Sequence, residues 1–341
     1  MFRLGRYLSL CAAAFLLPAI GCGGSNNPTP NPNPNPSPVP SMGRMYVSVG
    51  NADMILRFDA AATGDARPQA RLMGISPHGP TFLAIDVPHD RIAAVSNNFN
   101  NVVILLDNVS TTGFPPRILS GAATGFHFPA FCALDSARDL LYVTDDTSIL
   151  VFSPASTING NVAPVRTMTL GFSPGGFVYD ATNDRLFLSD AVNNAVSVFD
   201  ALSILSGPVT PNRVITGAAT QLNVPGTLAL DGAGHLIVHA GSPTVVITSL
   251  LVFSNAGSAS GNIAPSASAT IDRFPAQMAV SSAGELYMAD GGTEVPVYSN
   301  VANASGMISP VRIISGPDTG LNFPMPGVPP LTVGIALDPT R

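Results

Sequence analysis

Six times along this chain, two apolar runs are joined by a short turn rich in Asp, Asn and Gly. The clearest copy is RLFLSDAVNNAVSVFD, from Arg185 to Asp200. Its relatives start near Arg44, Arg91, Leu140, His235 and Glu285. The first apolar anchors are Met45, Ile92, Leu141, Leu186, Leu236 and Leu286, spaced by 47, 49, 45, 50 and 50 residues. The second runs end at Phe58, Leu106, Phe152, Phe199, Phe253 and Tyr298, each followed by Asp or Ser. A third run precedes five of the pairs and ends at Asp86, Asp135, Asp180, Asp231 and Ser281, with Pro80, Pro129, Pro174, Pro225 and Pro275 six residues earlier. A fourth follows, as in PPRILSG, PVRTMTLG, PNRVITG and PVRIISG.

Self-similarity at a fixed period decides architecture before any local signal does. Four short strands per 45–50 residues, with Gly, Pro and Asn turns, is the pattern of a β-propeller. Runs such as Leu186-Phe187-Leu188 are apolar on both faces, as blades covered on both sides require. The N-terminal repeat lacks its first strand, and the last segment, GIALDPTR, supplies one. The reading is therefore all-β: six four-stranded blades over residues 43–341, closed by the C-terminal strand completing the first blade. Closure removes open sheet edges. Pro296 falls in a third strand and implies a bulge or shortened pairing there.

GFVYDATNDRLFLSDAVNNAVSVFD resembles the repeat of NHL-type and related six-bladed propellers, though most blades lack that family's Arg before the third strand. The resemblance implies the fold. It does not choose among the scaffolds, lactonases, lyases and sensors that the fold hosts.

The N-terminus reads as a separate unit. Arg3 and Arg6 precede an apolar stretch, Tyr7 to Ile20, in the manner of a secretory signal. The stretch ends in LPAIGC, which resembles the lipobox of bacterial lipoproteins and makes residues 1–21 a signal and Cys22 the acylated residue. Residues 22–42, rich in alternating Asn and Pro, cannot form a helix or a ladder. They read as an extended tether on the order of 50 Å long. The chain would then sit in the cell envelope, in the outer membrane and periplasm or at the surface. Gly23 stands where Gram-negative lipoproteins kept at the inner membrane carry Asp.

All 15 basic residues are Arg, which excludes Schiff-base and P-loop lysine chemistry. Without the signal, 13 Arg face 21 acids, a net charge of −8 that argues against nucleic acid. Cys132 is left as the lone cysteine and reads as a small buried residue. A monomer is expected.

Two loop sets flank the mouth of a propeller's channel. Two residues before each loop proline stand His78, His127, Phe172, Asn223, Arg273 and, near the end, Asn322. His78, His127, Asn223, Arg273 and Asn322 form the candidate ligand ring; loop capping is the alternative. The other loops hold Asp53, Asn97, Asp145, Asp146, Asp190, Asp290 and Glu294. These read either as oxygen ligands for Ca²⁺ or as turn formers. His235 and His239 lie four apart without further metal ligands in sequence, and read as structural. No catalytic fingerprint appears. Two functions follow: a lipid-anchored, non-enzymatic scaffold for a protein, peptide or glycan, with no required cofactor, or a metal-dependent hydrolase, lactonase or lyase of the gluconolactonase-like kind.

Overall fold

The computed structural model describes residues 43–72, 79–96, 101–111, 115–242, 244, 247–322 and 332–340. The signal, the tether, His78 and Asn97 lie outside these residues. No helix among the described residues is long and apolar enough to cross a membrane.

Six antiparallel sheets form six blades. Blade IV shows the plan: Gly176–Asp180, Arg185–Asp190, Ala195–Asp200 and Arg213–Thr216 pair in chain order. Its two hairpins put Asp180 opposite Arg185 and Asp190 opposite Ala195. Blade I is completed as expected. Thr332–Asp338 pairs with Arg44–Val49, Asp338 opposite Arg44. Each innermost strand packs on the next around the ring, and the last returns to the first. Between blades IV and V the backbones approach so closely that only glycine fits: a Cβ on Gly176 would lie 2.2 Å from the Gly226 carbonyl oxygen.

The apolar side chains segregate into six clusters, each joining the facing sides of two neighbouring blades. This explains strands that are apolar on both faces: a blade has no solvent side. Pro296 shortens its pairing as expected, since only Leu286–Tyr298 and Tyr287–Val297 pair across that hairpin.

The structure departs from a plain four-stranded plan at the outer edges. Gly207–Pro208, from blade IV, adds a fifth, parallel strand to blade III, and Ser305–Met307, from blade VI, does the same for blade V. Single parallel bridges link Gly160 to Leu119, Gly261 to Ile215 and Gly64 to Ile314. An outer edge strand presents unpaired amides, and these additions cover some of them.

The bridges expose a two-blade period. After blades II, IV and VI the chain makes the same turn: Gly121, Gly217 and Gly316 at φ 113°, 117° and 130°, then a single 3₁₀ turn ending in a buried Thr. Thr124, Thr220 and Thr319 each donate back to that glycine's carbonyl at 2.6–2.7 Å. A side chain from the following blade caps the same turn each time: Asn161 Oδ1 accepts from Ala123 N–H, Asn262 Oδ1 from Ala219 N–H and Asp65 Oδ1 from Asp318 N–H, all at 2.7 Å. Seams II/III, IV/V and VI/I thus share one design. Among the described residues the design does not occur at the other three.

Candidate functional site

On the face carrying the first-to-second strand turns, acids are spent on the fold. Asp90, Asp139 and Asp184 sit at positive φ of 50–54°, a geometry Asp tolerates. Each carboxylate clips a serine of its own blade: Ser110, Ser156 and Ser203. Asp107 takes Arg91 at 2.6 Å and Arg117 at 2.8 Å; Asp200 takes both Arg185 and Arg213 at 2.6 Å. The Arg213 guanidinium holds the Asp200 carboxyl down at about 2. Glu285 pairs with Arg312 on this face, at 2.9 Å.

On the opposite face the acids hold loop backbone. Asp145 accepts from the amides of His127, at 2.6 Å, and Phe128, at 2.8 Å; Asp53 accepts from Gly79 N–H at 2.8 Å. Burial pushes the Asp145 carboxyl above its ordinary value even against these two donors. Asp190 accepts from the amides of Val192 and Asn193 and from the Asn193 side chain, so it closes its own turn. Asp290 and Glu294 both pair with Arg273. Asp146 is exposed. Among the described residues no group of three or more His, Cys, Asp or Glu is placed to hold a metal ion.

The candidate ring divides by seam. His127, Asn223 and Asn322 follow the three Gly-x-x-Thr turns, and all three are exposed. In each turn the threonine hydroxyl accepts a second bond from the chain, at Phe126, Leu222 or Leu321 N–H. Three polar residues therefore stand in one local frame, repeated at alternate seams. Arg273 differs: it is half-buried and tied to Asp290 at 2.7 Å and to Glu294. No hydrogen bond or ion pair among the described residues joins one ring position to another.

The channel holds a cavity of about 330 Å³ lined by inner-strand residues. Its walls include Phe82 and Phe131, with ring centroids 4.6 Å apart, and no charged side chain. None of the described ring positions lines it. Gln277 braces it across three blades. Its Oε1 accepts from Leu83 N–H at 2.9 Å and Ile335 N–H at 3.0 Å, and its Nε2 donates to the Leu83 carbonyl at 2.7 Å. Nothing in the sequence singles out Gln277, because its partners are brought to it by ring closure alone.

Cys132 is buried, and burial pushes its thiol up to about 12, far from a thiolate at neutral pH. The two histidines part company. His235 Nδ1 meets Asp231 at 2.7 Å in a turn. His239 is wholly buried, edge-on to Phe274, and neither ring nitrogen has a partner among the described residues. Burial pulls it down to about 4, so it is neutral at pH 7. It stands where other blades carry Ser48, Thr144 and Ser189, whose hydroxyls all bond to backbone.

No protein-family model matches the chain, and no curated protein matches it. Among solved structures it is similar to a chain in the crystal structure of a nidogen/laminin complex. That match is 14% identical, with a TM-score of 0.57 over 87% of this chain and 98% of that one. It is also similar to a functionally unknown protein from Desulfotomaculum acetoxidans DSM 771, at 12% identity and a TM-score of 0.56, over 88% of this chain and 87% of that one. At such identities the likeness is one of fold, and with six sheets in a closed ring that fold is the six-bladed β-propeller.

Proposed function

We propose that this chain is a lipid-anchored, non-enzymatic scaffold of the cell envelope that binds a protein, peptide or glycan at its loop face. The observation that carries the reading is the repeated frame under His127, Asn223 and Asn322. Three matching turns present polar, exposed side chains that make no side-chain hydrogen bond or ion pair among the described residues. A fold that needed these positions would bury or pair them, as it does Arg273. One fold neighbour comes from a nidogen/laminin complex, so this architecture is known within a protein–protein assembly. The anchor rests on LPAIGC and the Asn/Pro tether, with Cys22 as the acylated residue.

The test uses the full chain expressed in a bacterial envelope. Palmitate labelling is expected at Cys22 and lost in Cys22→Ser. Crosslinking from the loop face is expected to trap a partner, and a triple His127→Ala, Asn223→Ala, Asn322→Ala variant to lose it. Unchanged trapping would remove these positions from the site. A stoichiometric divalent ion in the purified protein, with a melting temperature lowered by EDTA, would favour the hydrolase instead.

A further inference from the structure

The third strand of each blade carries, two residues before its end, a side chain that packs against the preceding blade. In blades I, III and V this is Leu56, Leu150 and Leu251, and in blade II it is Ile104; all four are buried. Blade VI has Pro296. Blade IV has Ser197, at the seam with blade III. Serine removes most of an aliphatic side chain from an inter-blade core. Beside it opens a cleft of about 360 Å³ walled by Phe172, Phe199, Val209 and Val214, with the Thr210 and Thr216 side chains also at its edge.

The cleft's polar groups define what it can hold. No side-chain hydrogen bond of Ser197 occurs among the described residues, whereas the Ser48 and Ser189 hydroxyls are both bonded. Ser197 is therefore a hydroxyl available to a ligand, set among apolar walls. Asp190 lies at the rim, buried, with one carboxylate oxygen taking two amides and the other the Asn193 side chain. Among the described residues no arginine lines the cleft. An anion would meet Asp190 without a counter-charge. A cation would meet a carboxylate already engaged by three donors. The walls favour a flat apolar body, and the volume, at the lower end of the usual range for ligand sites, fits one or two rings. Voids left by truncated core side chains bind small aromatics.

We propose that the Ser197 cleft is a binding site for an uncharged, phenol-class aromatic, its ring against Phe172 and Phe199 and its hydroxyl on Ser197. Phe172 holds blade IV's place in the loop series, but none of His127, Asn223, Arg273 and Asn322 lines the cleft, so the proposal does not depend on the ring.

Phenol and toluene serve as probes on the detergent-solubilised full chain, read by saturation-transfer NMR and thermal melting. Phenol is expected to bind at millimolar concentration, about fivefold more tightly than toluene, the ratio one net hydrogen bond of about 1 kcal/mol confers. Ser197→Ala is expected to keep toluene and erase the fivefold preference. Ser197→Leu, restoring the residue of blades I, III and V, is expected to raise the melting temperature and abolish binding of both probes. No saturation transfer to phenol would overturn the proposal. So would equal binding by the wild type and Ser197→Leu, a preference that survives Ser197→Ala, or a Ser197→Leu protein that melts lower, since the space would then be too small for a ring.

Discussion

The six seams of the ring are of two kinds, and they are fastened differently. Seams II/III, IV/V and VI/I carry a Gly-x-x-Thr turn, an Asn or Asp cap from the next blade, one parallel bridge, and a leucine two residues before the end of the next blade's third strand. At I/II, III/IV and V/VI the corresponding core residue is Ile104, Ser197 or Pro296, and the added parallel strands lie at III/IV and V/VI. The unit of this protein is thus a pair of blades used three times. One seam class is uniform and tightly closed. The irregularities that could serve a ligand fall in the other class, except for the exposed residues that the uniform turns display.

The comparison breaks first at Leu251. Leu251→Ser would copy the III/IV condition into the IV/V seam, where Leu251 packs with Val196 and Ile215. The loss of transfer energy plus a residual cavity gives a destabilisation of about 4 kcal/mol in chemical denaturation. If the uniform seams are no more tightly packed than the others, the loss will be under about 1 kcal/mol.

His239 comes next, with an expected effect of about 3 kcal/mol. It is held neutral, near 4 against an ordinary 6.5. Between those values the unfolded chain binds the proton and the native one does not, so stability is full above pH 6.5 and falls as the pH drops toward 4. His239→Asn should lack this part of the acid loss. Denaturation midpoints of the two proteins at pH 7.5 and 4.5 measure it. Parallel losses would show that His239 is protonated in the fold.

Sequence patterning made the blades legible because every strand is covered on both sides, and closure followed from one missing and one surplus strand. The two-blade period was equally present in GAAT, GAAT and GPDT, at Gly121, Gly217 and Gly316. It escapes a strand-based alignment because those residues lie in loops. Ser197 could have been seen as a serine in a column otherwise made of three leucines, an isoleucine and a proline. Its meaning depends on which face of the strand meets a neighbouring blade, and that needs the ring. His235 and His239 look equivalent by spacing. Their environments differ because one sits in a turn and the other inside a seam.

A smaller effect tests the caps. Asn262 Oδ1 accepts the Ala219 amide at an exposed turn. Asn262→Ala should cost about 1 kcal/mol, the net value of such a bond. The alanine equivalent at Asp65 should cost the same, because it caps the VI/I turn in the same way.

The smallest expected effect is at His127. Its backbone is fixed from both sides: the amide by Asp145, at 2.6 Å, and the carbonyl by the Asn101 side chain, at 2.7 Å. None of that restraint passes through the imidazole. His127→Ala should therefore change stability by no more than about 0.5 kcal/mol. Asp145→Ala, on the same loop, leaves two amides without their acceptor and should cost more. Amide exchange at His127 and Phe128 separates the two. It should rise in Asp145→Ala and stay unchanged in His127→Ala. If His127→Ala loosens the loop as well, the side chain belongs to the frame, and the uniform seams display nothing that the fold does not need for itself.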